Sequence, residues 1–197
     1  SLQAQQVKNI EVKPVGEYAE IKIADQNQMM KLLYEPQTRG AAVDTVFNNI
    51  THYNPPVLYV FSQALFVNGE QNPAVEWYLY AQLNAMYDAE RCADNTAKQA
   101  VLILEENIRP TVGQYMKKNK SLEKAAAKKV MDLFRNLKPD YDIRWINLHG
   151  MGAFNGVFGE EDPNEKPKLT EDCQLWPTMR EKVLKEFAKM HGVKYEH

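Results

Sequence analysis

The sequence is poor in glycine and has no long apolar run. Only nine of its 197 residues are glycine, which disfavours a glycine-rich nucleotide-binding loop. No stretch approaches the roughly 20 apolar residues of a membrane helix, so no membrane span is predicted. The formal net charge is only −2, so no overall basic field points to nucleic acid. These absences argue against a glycine-rich nucleotide-binding loop, a membrane span and a nucleic-acid-binding protein, but they do not say which class the protein belongs to.

Recognisable catalytic and metal-binding motifs are also missing. None of the three serines lies in a Gly-x-Ser-x-Gly turn, and none of the four histidines belongs to a His-Glu-x-x-His pattern. Cys92 and His149 are a conceivable nucleophile and base, but the sequence around Cys92 does not mark an activating environment for its thiol. The sequence therefore favours a protein with no catalytic residue, no metal and no cofactor.

Apolar residues make up 44% of the chain, enough for one domain with a sizeable core. We expect an N-terminal extension over residues 1–35 and a helical domain over residues 36–197. In the extension, Ile10–Lys13 and Tyr18–Ile23 alternate apolar and polar side chains on either side of Pro14–Gly16. This alternation predicts a small β-hairpin.

Helical spacing dominates from residue 38 onwards. Asn54 and Asn72 each precede a proline, a typical helix start, and Gly69 supplies a stop between them. Pro110 is expected to end or kink a helix, and the glycines between residues 150 and 159 predict loops. The predicted helices span residues 38–50, 54–68, 73–93, 95–108, 121–137, 143–149 and 176–191. The predicted fold is all-α, with antiparallel helical hairpins packed as a bundle or short superhelix, plus the N-terminal β-hairpin.

The segment from Pro56 to Gln82 resembles one tetratricopeptide or Sel1-like repeat. Its first helix ends in a polar turn at Asn68-Gly69, and its second opens with Ala74 followed by Trp77 and Tyr78. Such repeats usually bind peptides or proteins, so the resemblance implies a binding role. The chain as a whole also resembles small exported bacterial helical proteins, some of which are immunity proteins for secreted toxins.

The first functional hypothesis is a non-catalytic protein-binding module of the bacterial envelope, acting as an inhibitor or immunity protein for a secreted toxin. Aromatic side chains are common interface anchors, and acidic residues steer basic partners. The candidate partner-binding residues are Tyr53, Tyr59, Tyr80, Tyr87, Glu160, Glu161 and Asp162.

The alternative is a small-molecule-binding protein or an enzyme with a pocket in the segment 145–154. Trp145, His149 and Phe154 combine two aromatic rings and an imidazole near two glycines, which could line a ligand site. The same residues could equally form a turn with both rings in the core. Lysines cluster within residues 117–144, but no aromatic residue is interleaved among the lysines at 117–129 for base stacking, so nucleic acid is not expected as a partner.

The location of the protein is indicated only by its start and its two cysteines. Ala4-Gln5 resembles the end of a signal-peptide cleavage site, which favours a periplasmic or secreted protein whose signal peptide is removed. A vector-derived start and a cytoplasmic location stay open. Cys92 and Cys173 form a candidate disulfide that would stabilise the fold by roughly 4 kcal/mol. Two reduced thiols are the other interpretation.

Overall fold

A computed structural model describes residues 13–158 and 166–196, and this part of the chain is built from α-helices and short 3-10 turns. It contains no β-strand, and one isolated antiparallel bridge joins Cys92 to Thr170. The prediction of an all-α fold is confirmed. The helices are α1 (Ala24–Tyr34), α2 (Arg39–Asn48), α3 (Pro55–Val67), α4 (Gln71–Arg91), α5 (Ala100–Ile108), α6 (Gln114–Lys118), α7 (Lys120–Asn136), α8 (Met151–Phe158) and α9 (Trp176–Met190).

Helix α4 lies at the centre of the fold and contacts α3, α5, α7 and α9. Its small side chains Ala74, Ala81 and Ala85 are fully buried, which lets neighbouring helices approach closely. Helix α3 begins as predicted, because the Asn54 side chain accepts a hydrogen bond from the Val57 N–H. Helix α3 is apolar on most of its faces and is accordingly buried on most of them.

The N-terminal region differs from the prediction. The second predicted strand is absent, because a 3-10 turn occupies Gly16–Glu20. Tyr18 and Ile21, three residues apart, are both buried and form a small second core with Ala153 and Leu169. The alternating pattern thus matches the spacing of a 3-10 turn as well as that of a strand. Of the first predicted strand, residues 10–13, only Lys13 lies within the described residues, and it is not in a strand.

Helix α1 was not predicted, although its sequence carries a helical pattern. Gln26, Met29 and Leu33 recur at intervals of three and four residues, and all three are buried. Helix α1 packs against α2 and α3, and Met29 and Leu33 join the main core. The helical body therefore begins well before residue 36.

Two further segments are more helical than expected. The glycine-containing stretch predicted to form loops contains helix α8. Helix α5 ends at Ile108, just before Pro110, but the chain continues through one π-helical turn over Arg109–Gly113 into α6. Such a turn shifts the backbone hydrogen bonds by one residue, which accommodates a proline without ending the helical path. None of the helices in the described ranges is both long and apolar enough to cross a bilayer.

Candidate functional site

The tyrosines predicted as partner anchors are mainly structural. Tyr53, Tyr59 and Tyr80 are buried, and Tyr87 is half-buried with its hydroxyl donating to the Trp176 carbonyl at 3.3 Å. The expectation that the first three face a partner is therefore wrong for this structure. These tyrosines lie on or just before the central pair α3 and α4, where neighbouring helices cover them. The acidic candidates Glu160, Glu161 and Asp162 lie outside the described residues.

The predicted pocket residues are divided between the core and the surface. Trp145 is buried, and its ring N–H donates to Asp88 Oδ2 at 2.7 Å. His149 packs edge-on against the Trp145 ring, with 5.9 Å between ring centroids, and is exposed on its other side. Phe154 is also exposed, one turn into α8. The structure thus places His149 and Phe154 at the surface, with Trp145 beneath the histidine.

His149 lies in an open groove of about 410 Å³ between α5 and the start of α8. Desolvation by the surrounding protein lowers the pKa of His149 below its usual value, so the imidazole is neutral at pH 7. With the histidine neutral, no lining side chain carries a charge. The groove is lined by Thr96, Gln99, Ile103, Leu104, His149 and Met151.

Helix α5 exposes apolar side chains because its sequence is apolar on every face. Residues 100–104 are five consecutive apolar residues, and at 100° per residue such a run passes around the whole helix. Val101 and Ile108 point into the core. Leu102 and Ile103 consequently point outward, and they are 61% and 62% exposed.

Helix α8 presents a second apolar wall. Met151 and Phe154 lie three residues apart on one face and are 51% and 47% exposed, whereas Ala153 is buried. We name the four exposed residues Leu102, Ile103, Met151 and Phe154 the apolar rim. Each of these side chains exposes on the order of 100 Å² of apolar surface, so the four together expose roughly 400 Å². Functional apolar patches on protein surfaces have areas of this size.

The segment before α5 holds the N-terminus of α8 in place. Thr96 Oγ1 accepts from the Met151 N–H at 2.8 Å, and Asp94 Oδ2 accepts from the Gly152 N–H at 3.3 Å. Partial burial alone would raise the pKa of Asp94. Hydrogen bonds from Thr96 and Gly152 outweigh this effect, so the pKa of Asp94 lies below its usual value. A carboxylate at the first turn of α8 also interacts favourably with the helix dipole. This Asp94–Thr96 clamp fixes the two walls of the groove relative to each other.

Replacing Gly150 with alanine is expected to damage the clamp. A Cβ atom at Gly150 would overlap the Asp94 carboxylate and press on the Ala97 side chain. We expect the free energy of unfolding in urea to fall by about 2 kcal/mol. Gly40→Ala is the control, because no atom lies within 4 Å of the added Cβ in α2, and it should be neutral or slightly stabilising. Equal stability of both variants would contradict the described position of Asp94.

Both cysteines are free in the structure, so the predicted disulfide is not formed. Cys92 is buried, and its Sγ lies 3.5 Å from the Asp94 carbonyl oxygen and 3.4 Å from Asn147 Oδ1, either of which can accept its one S–H hydrogen bond. Burial raises the pKa of Cys92 to about 11, which keeps the thiol protonated and poorly nucleophilic at pH 7. Cys173 is exposed.

A second, polar cleft of about 430 Å³ surrounds His52. His52 Nε2 lies 2.7 Å from Asp25 Oδ2, and His52 Nδ1 lies 3.7 Å from Asp140 Oδ1. An aspartate–histidine pair can act as a general base, but no serine, threonine or cysteine lines this cleft. Tyr141, which does line it, has its hydroxyl bonded to Asp88 in the core. Within the described ranges, no group of three or more histidine, cysteine, aspartate or glutamate side chains is arranged to hold a metal ion.

Comparisons with protein-family models, with curated proteins and with solved structures give no match. The site is therefore interpreted from its own geometry.

Of the residues that the sequence suggested for a pocket, His149 lines the groove and Phe154 is exposed on α8, whereas the exposed α5 residues Leu102 and Ile103 were not predicted. The pattern used for α5 was the inward stripe of Ala97, Val101, Leu104 and Ile108. Leu102 and Ile103 lie off that stripe, and large apolar residues outside the buried stripe of a surface helix are the signal that would have located the groove.

Proposed function

We propose that the protein is a non-catalytic protein-binding module whose docking surface is the apolar rim and the groove within it. Its occupant is an apolar, uncharged segment of a partner protein. The observation that carries the proposal is the exposure of four large apolar side chains on two helices, of which Ile103 and Met151 line one uncharged groove. Clustered apolar surface of this kind is typical of interaction sites.

The size of the rim favours a short segment over a whole folded partner. A stable interface between two folded proteins buries roughly 800 Å² on each side, about twice what the rim exposes. One amphipathic helix that lays a few side chains into a groove needs less area. The rim is therefore better matched to a single segment than to a second copy of this chain.

The chemistry of the groove restricts what that segment can be. A charged side chain placed against Ile103, Leu104 and the neutral His149 would lose hydration without gaining a partner. Gln99 offers hydrogen bonds at one side of the groove, whereas the Thr96 hydroxyl is already bonded to Asp94 and Met151. Leucine, isoleucine, methionine or phenylalanine side chains at helical spacing are the expected contacts.

The narrower role of an inhibitor or immunity protein in the bacterial envelope is part of this proposal. It is supported by the sequence resemblance to exported helical proteins. The proposed docking surface differs from the tyrosine anchors that the sequence suggested.

Selection of peptides against the immobilised protein tests the proposal. We expect a random 12- to 15-residue library, a length at which helices become marginally stable, to yield apolar sequences that bind the wild type. Ile103→Lys should weaken their binding at least tenfold, because the lysine ammonium would lose hydration in the groove. Fluorescence anisotropy with labelled peptides measures the dissociation constants.

The matched control is Val67→Lys, which places the same charge at an equally exposed apolar position outside the groove. Peptides that bind both variants as tightly as the wild type would place the docking surface elsewhere. Enrichment of charged peptides alone would contradict an apolar occupant.

A small apolar molecule is the second candidate for the same groove. Its volume of about 410 Å³ lies within the range of small-molecule sites. The groove is open, however, whereas such sites usually enclose most of their ligand. Thermal-shift screening of an apolar compound library, with His149→Ala as the comparison, tests this alternative. A shift that depends on His149 would favour it over the peptide.

A further inference from the structure

The strongest concentration of charge in the protein lies on α6 and α7. Residues 117–138 contain eight basic and two acidic residues, a net charge of +6, whereas the whole chain carries −2. The rest of the chain is therefore strongly acidic. Segregation of charge on this scale creates a local positive field that a net charge near zero conceals.

The structure gathers part of this charge into one stripe along α7. Lys120, Lys124 and Lys128 follow at intervals of four residues, which places them on one face with a rise of about 6 Å between neighbours. All three are exposed. Lys124 and Lys128 form no ion pair with any residue in the described ranges, whereas Lys129, on the other side of the helix, pairs with Glu76 at 2.5 Å.

The stripe continues into a shallow cleft at the C-terminal end of α7. This cleft, of about 280 Å³, is lined by Lys128, Met131, Asp132, Arg135, Lys194 and Glu196. We name Lys120, Lys124, Lys128, Arg135 and Lys194 the basic ridge. From Lys120 to Arg135 it extends for roughly 22 Å along the helix axis.

We propose that the basic ridge binds an acidic helical segment of a partner protein, at a surface separate from the apolar groove. A helix with carboxylates at every fourth residue repeats at the same spacing of about 6 Å as the three lysines. Complementary charge of this kind raises the association rate and fixes the register of the two helices.

Two features favour a protein segment over a nucleic acid. Asp132 and Glu196 lie among the cations of the cleft and would repel a continuous phosphate backbone, whereas a protein segment can place a basic side chain against them. Tyr195, the aromatic residue beside Arg135, is engaged by a hydrogen bond to Glu181 and by the Arg135 guanidinium over its ring. It is thus not available for base stacking.

The test measures binding of a labelled alanine–glutamine helix of about 20 residues, with glutamate at every fourth position, by fluorescence anisotropy. We expect binding at about 50 mM salt that weakens severalfold at about 200 mM. The double variant Lys124→Glu/Lys128→Glu should weaken binding roughly tenfold. A peptide of the same composition with its glutamates spread around the helix should bind less tightly.

The control variant Lys13→Glu/Lys31→Glu makes the same change in net charge at two exposed lysines outside the ridge, and it should bind as the wild type does. Equal weakening by both double variants would overturn the proposal, because net charge alone would then explain binding. Tighter binding of a duplex DNA than of the peptide would overturn it as well. Ile103→Lys should leave this binding unchanged, so the groove and the ridge can fail independently.

Discussion

Replacement of Asp88 by asparagine is expected to lower the free energy of unfolding by about 3 kcal/mol, because it breaks a buried, hydrogen-bonded ion pair. Asp88 is the acceptor at the centre of the main core. Arg91 donates to Asp88 Oδ1 at 2.5 Å, and Tyr141 and Trp145 donate to Oδ2 at 2.9 and 2.7 Å. An asparagine presents one oxygen and one NH₂ group, so at least one of these donors would face another donor.

The arginine in this cluster makes the loss larger. Arg91 lies between the Tyr87 and Trp176 rings, with its guanidinium carbon 3.9 and 4.9 Å from the ring centroids. It would stay buried with its charge unpaired. Burial raises the pKa of Asp88, while the charge of Arg91 and the bonds from Trp145 and Tyr141 act in the opposite direction.

Urea unfolding at pH 7 measures the Asp88→Asn effect, and a melting temperature lower by roughly 10 °C should accompany it. Asp132→Asn is the matched control, because Asp132 is exposed on α7 and its ion pair with Arg135 is a surface contact. The control should change stability by less than about 1 kcal/mol. A similarly small effect for Asp88→Asn would contradict the central position of this carboxylate in the core.

The second large effect is expected at His191, just after α9. His191 Nδ1 lies 3.0 Å from Glu123 Oε1, and His191 Nε2 lies 2.7 Å from Gln82 Oε1. All three residues are buried. His191→Leu would leave Glu123 with Lys120 as its remaining partner, and we expect a loss of about 3 kcal/mol.

Both ring nitrogens of His191 lie beside oxygen atoms of other helices. Gln82 Nε2 donates to Glu105 Oε1 at 2.8 Å, which leaves Gln82 Oε1 directed at His191 Nε2. The Glu123 carboxylate lies at Nδ1. The contact connects α4, α7 and the end of α9.

Lowering the pH should weaken the contact between Glu123 and His191, because the Glu123 carboxylate becomes protonated. Burial raises the pKa of Glu123, but hydrogen bonds and charge from Lys120 and His191 outweigh it, and the pKa lies below its usual value. Because the pKa of Glu123 is lower in the folded state than in the unfolded chain, the ionised carboxylate stabilises the fold at pH values above its ordinary pKa of about 4.3. This stabilisation is lost as the pH falls through the pKa of the folded state.

A double-mutant cycle with Glu123→Gln and His191→Leu measures the pair directly. We expect a coupling energy of about 2 kcal/mol. Lys120→Ala should cost under about 1 kcal/mol, because Lys120 is exposed to solvent. Additive effects of the two core substitutions would show that His191 and Glu123 do not interact as described.

The helices with clear start and stop signals could be predicted from the sequence. Asn54 and Pro55 define the start of α3, and Gly192 follows the end of α9 with the positive φ of 63° that favours glycine. Helix α1 was missed because the alternation before it was interpreted as strands. Helix α8 was missed because its glycines suggested loops, whereas at Gly152 the missing side chain leaves room for the Tyr18 hydroxyl.

The site was harder to predict because it depends on contacts far apart in the chain. Asp94 and Gly152 are 58 residues apart, and no local pattern connects them. The burial of Asp88, Glu123 and His191 was equally hard to predict, since nothing in the local sequence distinguishes each of them from a surface residue. The tyrosines failed as anchors for the opposite reason, because aromatic residues at helical spacing suit a core as well as an interface.

The central claim is that a partner segment docks on the apolar rim. The most direct measurement is a titration of methyl-labelled methionines with a selected apolar peptide, followed by NMR. Met151 and Met190 are half-exposed to a similar degree, but only Met151 lines the groove. We predict a saturable shift of the Met151 methyl signal and an unchanged Met190 signal. A shift at Met190 without one at Met151 would contradict the proposed docking surface.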